Sequence, residues 1–305
     1  MRSDIDHLPA MQRRELARIT RILLEEFDRA IAGGTQPWRR NGRILKIILY
    51  GSYARGGWVD TPTYQSDYDI LVIVSHKKLT DDDYWNPAED RLLRAASIRR
   101  VTNVIVHTLG EVNEALTQGR YFWTDIARDG IALYDFPGRP LATPQPLTPA
   151  DALAMAEEYH EEWLPRIATA LEGVSFYTSE GHRNDAAFTL HQSIERAYSC
   201  YLLVRTLYVP HSHKINFLRS LAEDEDTRLI AAWPHDTRRA ERPFNLIKRA
   251  YVEARYSRHY RISEEDLAAA TASARRLRDL VAQASEDWIE ELRKQAAASP
   301  GGPPA

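Results

Sequence analysis

Strand-forming runs occur only in the first 135 residues of this 305-residue chain, and that asymmetry limits its fold more than any other feature. Ile44–Tyr50, Asp69–Val74 and Val101–His107 are short runs rich in branched apolar residues, with polar stretches between them, and Ile131–Tyr134 is a shorter fourth. Helical patterns surround them. Leu16, Ile19, Leu23, Phe27 and Ile31 recur at helical spacing within 8–32, and further helices are expected near 87–98 and 111–116. Strands mixed with helices over residues 1–140 predict an α/β (α+β) domain. The segment Phe136–Pro149 then carries five prolines and few apolar side chains, which is linker composition. Beyond it only helices are expected, at 150–173, 183–208, 214–224, 241–257 and 264–297. Thr148 precedes Pro149 as a helix cap, and Ser263 with Asp266 forms a capping pair. An all-α helical bundle over 148–297 is the economical reading, with 298–305 (SPGGPPA from Ser299) a disordered tail.

Composition narrows the function classes. Hydrophobic residues at 44% and charged residues at 27% suit a globular protein with real cores. Forty Lys and Arg against 43 Asp and Glu give a net charge of -3, so a polyanion site must be a local patch. The single cysteine, Cys200, excludes an internal disulfide and a multi-cysteine zinc site, and fits a reducing compartment. The longest apolar run is interrupted by Lys46, and the N-terminus MRSDIDHLPA is charged where a leader needs apolar residues. These features predict a cytoplasmic protein with no membrane partner.

The chemistry concentrates in LYGSYARG and SDYDILVIV. Gly51-Ser52 follows a buried-type strand, where a glycine lets the backbone approach a ligand and a hydroxyl beside free N–H groups suits phosphate. Asp67 and Asp69 enter the next strand, and the two-residue period places both carboxylates on one face with Tyr68 on the other. Two adjacent carboxylates repel unless a cation lies between them. Mg²⁺ fits, because it takes oxygen ligands and shares them with substrate phosphates. Either motif alone is commonplace as a loop cap or a solvated strand end. Their order and spacing together favour metal-assisted phosphoryl or nucleotidyl transfer. A Walker-type loop is excluded, since no G-K-[ST] follows a glycine-rich loop.

Gly51-Ser52-Tyr53-Ala54-Arg55-Gly56 together with Ser66-Asp67-Tyr68-Asp69 resembles the signature of the polymerase-β-type minimal nucleotidyltransferases. The resemblance covers about 40–135. It implies a mixed sheet flanked by helices and an NTP, with ATP the expected one, held by Gly51, Ser52, Arg55 and Ser66. It also implies Mg²⁺ or Mn²⁺ on Asp67 and Asp69, the catalytic pair. Arg55 is open to two roles, phosphate ligand or structural ion-pair partner. The implied reaction transfers a nucleoside monophosphate to a hydroxyl and releases pyrophosphate. Members of that family carry a third carboxylate on a later strand, where this chain has Asn103, and an amide cannot act as a base. His107 is a candidate substitute base by its ordinary pKa, and Glu111 is another. A nucleotide sensor without turnover is therefore an alternative reading.

The helical half holds a local basic patch: Arg238, Arg239, Arg242, Lys248, Arg249, Arg255, Arg258 and Arg261, with His235, His259, Tyr251, Tyr256 and Tyr260 among them. Cations interleaved with aromatics suit nucleotide or RNA binding. The plain alternative is a solvated face paired with the acidic runs Glu223–Asp226 and Glu264–Asp266. The pattern from AAFTLHQSIERAYSC to ARYSRHYRISEEDL is similar to the HEPN domains, which accompany minimal nucleotidyltransferases. That similarity implies a homodimer through the helical domain, a nucleotide, RNA or partner-protein ligand, and a toxin–antitoxin or defence role. Active HEPN ribonucleases have four to six residues between an Arg and a His, whereas Arg255 and His259 have three, so an RNA-cleaving HEPN module regulated by the N-terminal domain is an alternative reading with a departure from the motif. Tyr260, next to that histidine, is by the same resemblance a candidate acceptor of the nucleotide.

Overall fold

The computed structural model describes residues 1–60, 65–234 and 237–298 and divides the chain into two units, Met1–Pro146 and Leu147–Ala305. His235 and the tail beyond Ala298 lie outside the described residues.

The first unit opens with α1 (Ala10–Ile31) and a single turn, α2 (Pro37–Arg40). Then come β1 (Ile44–Tyr50), the one-turn α3 (Ser52–Arg55), β2 (Tyr68–Val74) and α4 (Asn86–Arg94). β3 (Thr102–Thr108), α5 (Leu109–Thr117), α6 (Tyr121–Asp129) and β4 (Ile131–Asp135) complete it. The sheet is mixed, in the order β3-β2-β1-β4. β1 runs antiparallel to β2 and β4, and β2 runs parallel to β3 through the crossover that contains α4. Every residue of the two central strands is buried, which is why both read as nearly continuous apolar runs. The exception within β1 is Lys46, whose ammonium meets Asp135 Oδ1 at 2.5 Å. One sheet face receives the apolar stripe of α1: Leu16, Ile19, Leu23 and Phe27 share a core with Ile47, Leu49, Ile70 and Val72. Phe27 also stacks on Trp85 at 5.5 Å between ring centroids.

α6 is absent from the sequence reading. Its buried residues are only Trp123 and Ile126, one turn apart, which is too short a stripe to declare a period.

The second unit is helical throughout its described residues: α7 (Pro149–Ser179), α8 (Arg183–Thr206), α9 (Ile215–Glu225), α10 (Arg238–Tyr256) and α11 (Glu264–Ala298), with a 3₁₀ stretch at Thr227–Ala232. Thr148 caps α7 by accepting from the Asp151 N–H at 3.1 Å, and Ser263 accepts from the Asp266 N–H at 3.0 Å ahead of α11. α8 is the central helix. From Ala186 to Thr206 it buries residues around most of its circumference, because α7, α9, α10 and α11 all pack against it. Cys200 lies on it, and burial pushes its thiol up to about 12, so it is a packing residue and no nucleophile.

Candidate active site

β1 ends at Tyr50, which pairs with Asp69, and Asp69 in turn pairs with Asn103 at the start of β3. Three strand ends therefore bring Gly51-Ser52, Asp67, Asp69 and Asn103 to one end of the sheet. Gly51 leaves β1 with φ 72°, the left-handed region that a side chain disfavours, and so turns the chain into α3 within one residue. Ser52 begins α3, and a first helical turn leaves its leading N–H groups without intrahelical acceptors.

The two aspartates sit on one face, as the strand period requires. Asn103 Nδ2 donates to Asp67 Oδ2 at 3.2 Å and to Asp69 Oδ1 at 3.0 Å. Asp69 is 3% exposed and Asn103 6%. Both carboxylates thus lie within reach of one amide nitrogen, Asp69 buried and Asp67 half-buried. That donor set fits a divalent cation whose remaining ligands are waters and substrate phosphates. Among the described residues no group of three or more His, Cys, Asp or Glu could hold a metal by itself.

The opposite face of the same strand is anchored independently. Tyr68, between the two aspartates, donates its hydroxyl to Glu15 Oε2 at 2.6 Å. Glu15 also accepts from the Arg99 N–H and from Arg100 Nη1, each at 3.0 Å. Arg100 reaches Asp60 with its other arm and lies 6.0 Å from the centroids of the Tyr53 and Tyr68 rings. Glu15, Arg100, Tyr53 and Tyr68 are all buried. Tyr53 directly follows Ser52, so one buried ion pair steadies both the Gly-Ser turn and the aspartate strand. Burial raises the Tyr53 hydroxyl to about 12, and burial with the Glu15 bond raises Tyr68 further, so both stay protonated. Glu15 and Arg100 carry no sequence signal that would have marked them, since their pairing spans 85 residues.

Other expected site residues stand elsewhere or do different work. Ser66 is buried and closes its loop: its hydroxyl oxygen accepts from the Val59 N–H, and its own N–H donates to the Val59 carbonyl, both at 2.9 Å. Arg55 is exposed, and its charge acts to lower the carboxyls of Asp125 and Asp129 on α6. Burial raises the Asp125 carboxyl, with Arg128 and Arg55 working against it.

His107 pairs with Ile73, four residues along β3 from Asn103, or about 13 Å of strand. Its ring packs edge-on against Trp123 at 4.9 Å and lies 3.6 Å from Glu111. That distance removes it as a base for the aspartate pair. Glu111 closes the capping box of α5 with Thr108 and pairs with Lys77. Burial raises its carboxyl, but Lys77 and the Thr108 N–H outweigh burial and bring it down to about 2, too acidic to take a proton.

In the helical unit, Arg255 and His259 do not converge on each other. Arg255 Nε donates to the Tyr251 carbonyl at 2.8 Å, and its guanidinium covers Phe188, Tyr251 and Tyr256 at 4.7, 4.6 and 5.0 Å from their centroids. His259 Nε2 accepts instead from Arg258 Nε at 3.3 Å. Tyr260 is 2% exposed and donates its hydroxyl to the Leu246 carbonyl, which corrects its reading as an accessible acceptor. The chain after α10 turns inward there because Tyr260 and Ile262 are both buried.

Two histidines lie with Arg255 around the Tyr251 ring. His213 stacks on Tyr251 at 4.6 Å and shares a 3.0 Å hydrogen bond with Glu195. His191 lies 5.1 Å from the same ring, fully buried, with neither ring nitrogen in a hydrogen bond. Three other cations of the basic patch are paired with acids: Arg239 with Glu265, Arg242 with Asp266 and Arg249 with Glu253.

A Gly-Ser turn beside two aspartates at the head of a central strand of a mixed sheet, followed in sequence by a unit whose described elements are helices, defines a nucleotidyltransferase-type fold and a helical bundle. The model of the nucleotidyltransferase domain matches residues 36–115, and that of the HEPN domain matches 160–288. A relative in Methanocaldococcus jannaschii, named "Putative protein adenylyltransferase", is 32% identical over 111 residues, which are 36% of this chain and 94% of the relative. The chain belongs to the nucleotidyltransferase family and carries a C-terminal HEPN domain.

Proposed function

We propose that the first unit moves a nucleoside monophosphate, AMP foremost, from an NTP to a hydroxyl of a protein tyrosine, an RNA end or a small molecule. The observation that carries this is the convergence of Asp67 and Asp69 on the single Asn103 amide, beside the Gly51-Ser52 turn. The name of the archaeal relative favours ATP and a protein acceptor. Gly51 and Ser52 hold the triphosphate, and Asp67 and Asp69 hold Mg²⁺ or Mn²⁺. Such an ion, when bound, neutralises charge on the attacking and leaving oxygens. The acceptor oxygen bonds to the α-phosphorus as the bond to the bridging oxygen breaks and pyrophosphate leaves. Asn103 has no basic atom, so the acceptor proton passes to a carboxylate oxygen of the pair or to solvent. Tyr68, Glu15 and Arg100 keep the pair in place from behind.

The test is label transfer by the full chain from each α-labelled NTP with Mg²⁺, followed into protein, RNA and small molecules. Transfer abolished in Asp67→Asn/Asp69→Asn supports the reading and identifies the acceptor class. Saturable NTP binding without transfer replaces it with a nucleotide sensor.

A second reading concerns the helical unit, as a nucleotide- or RNA-binding partner in a toxin–antitoxin or defence pair and as the surface of a homodimer. The cluster of Arg255, Tyr251, His213 and Glu195 favours it, because a guanidinium over aromatic rings beside a stacked imidazole suits phosphate and base contacts. Loss of oligonucleotide binding in Arg255→Ala, by fluorescence anisotropy, checks it. RNA cleavage through Arg255 and His259 has no support in their geometry.

A further inference from the structure

Asn103 stands between two carboxylates, and the direction of its amide is dictated by chemistry. Ionised carboxylates only accept hydrogen bonds, so the NH₂ end must face Asp67 and Asp69, and each of its hydrogens is directed at one of them. The amide thus gives each carboxylate a donor and offsets part of their repulsion. Half a turn about the last side-chain torsion of an asparagine exchanges Nδ2 for Oδ1 without moving the backbone. That torsion is broad and two-fold, so the exchange needs no strained rotamer. A divalent cation shared by the aspartates would face the NH₂ group of the present orientation and repel it, whereas the turned amide offers it a carbonyl oxygen. Amide carbonyls are accepted ligands of hard cations.

We infer that Asn103 is a two-position latch and ligand of the metal site: its NH₂ end braces Asp67 and Asp69 without an ion, and its Oδ1 joins the coordination shell with one. The inference rests on the metal-dependent transferase reading. It assigns Asn103 a positive function at a position where an amide cannot do acid–base work. It also makes the site two-fold rather than three-fold negative, so that ion loading leans on the phosphates of the nucleotide.

The test measures Mn²⁺ binding to the full chain by the EPR signal of free Mn²⁺, with and without a non-hydrolysable ATP analogue, for wild type, Asn103→Ala and Asn103→Asp. In parallel, the Asn103 side-chain NH₂ resonances of wild type, labelled with ¹⁵N-asparagine and identified by their absence from either variant, are followed on addition of Mg²⁺. We expect Asn103→Ala to weaken Mn²⁺ binding about tenfold, Asn103→Asp to strengthen it by a similar factor, and the NH₂ resonances to shift on Mg²⁺ addition. Mn²⁺ binding in Asn103→Ala as tight as in wild type, or tighter, would show a spacer that the ion displaces and would overturn the inference. So would NH₂ resonances unmoved by saturating Mg²⁺, a result that stands on wild-type protein even where a variant fails to fold. Wild type that binds no Mn²⁺ with or without the analogue would bring down the metal-dependent reading itself, and the latch with it. Binding by wild type that is indifferent to Asn103 would bring down the latch alone.

Discussion

Glu15 in the first unit and His191 in the second are removed from solvent to nearly the same degree, at 2% and 0% exposure, yet they are handled in opposite ways. Glu15 accepts from the Tyr68 hydroxyl, the Arg99 N–H and the Arg100 guanidinium. Neither ring nitrogen of His191 has a partner at ordinary hydrogen-bond distance, and Glu195 Oε2 lies 3.9 Å from its Nδ1. A carboxylate buried with its charge must be paired, because desolvation otherwise exceeds anything gained. An imidazole can give up its proton instead, and burial, helped by the charges of His213 and Arg255, brings His191 down to about 4. The first unit thus keeps a buried charge that props the aspartate strand. The second keeps a neutral ring whose cost appears only when acid forces a proton onto it.

The strongest way to break this contrast is to remove the counter-ion. Arg100→Ala leaves Glu15 buried and unpaired, and should cost the first unit about 3–5 kcal/mol in urea unfolding. Loss of less than about 1 kcal/mol would mean that the Glu15–Arg100 pair does not hold the first unit together.

Acid titration addresses the other half. The folded pKa of His191 lies below its ordinary value of 6.5, at about 4, so between those values the unfolded chain binds a proton that the folded chain does not. Stability therefore falls as pH drops through that window, by on the order of 3 kcal/mol in full. His191→Leu should remove that part of the slope, and melting near pH 5 against pH 7.5 for the two proteins reads the difference directly. Parallel curves for variant and wild type would contradict it.

Smaller effects sharpen the picture. Tyr68→Phe deletes one donor to the buried Glu15 charge and should cost about 2 kcal/mol. It should also reduce label transfer, since Tyr68 lies between the two aspartates. Gly51→Ala forces a Cβ into a left-handed conformation, with a cost of about 1–2 kcal/mol by thermal melting. Arg239→Ala, which loses only an exposed partner at 3.6 Å, should leave melting within about 0.5 kcal/mol of wild type.

The residues that sequence reading found most readily are those whose meaning is local. Gly51-Ser52 and Asp67-x-Asp69 lie within eighteen or so residues of one another, and strand alternation alone assigns their faces. The caps at Thr148 and Ser263 are equally local, and both appear in the structure. The helices of the second unit were legible because each is long, and α6 was not because its stripe is one turn. His107 and Tyr260 misled for a shared reason. A suitable pKa on the strand of Asn103, or a place next to His259, says nothing about how far a strand carries a ring or which way a chain turns after a helix.

What the sequence determined by itself is therefore the class of each unit, the Gly-Ser turn and the facing of the two aspartates, because these follow from backbone periods and residue chemistry over short spans. Resemblance put Asn103 at the position of the third carboxylate, but only the tertiary structure gave its contacts with Asp67 and Asp69, since parallel pairing joins strands 34 residues apart. It alone set Glu15 and Arg100 behind the site, sank Tyr260 and turned Arg255 toward Tyr251. Burial and pairing across such separations are properties of the packed chain, and no window of sequence contains them.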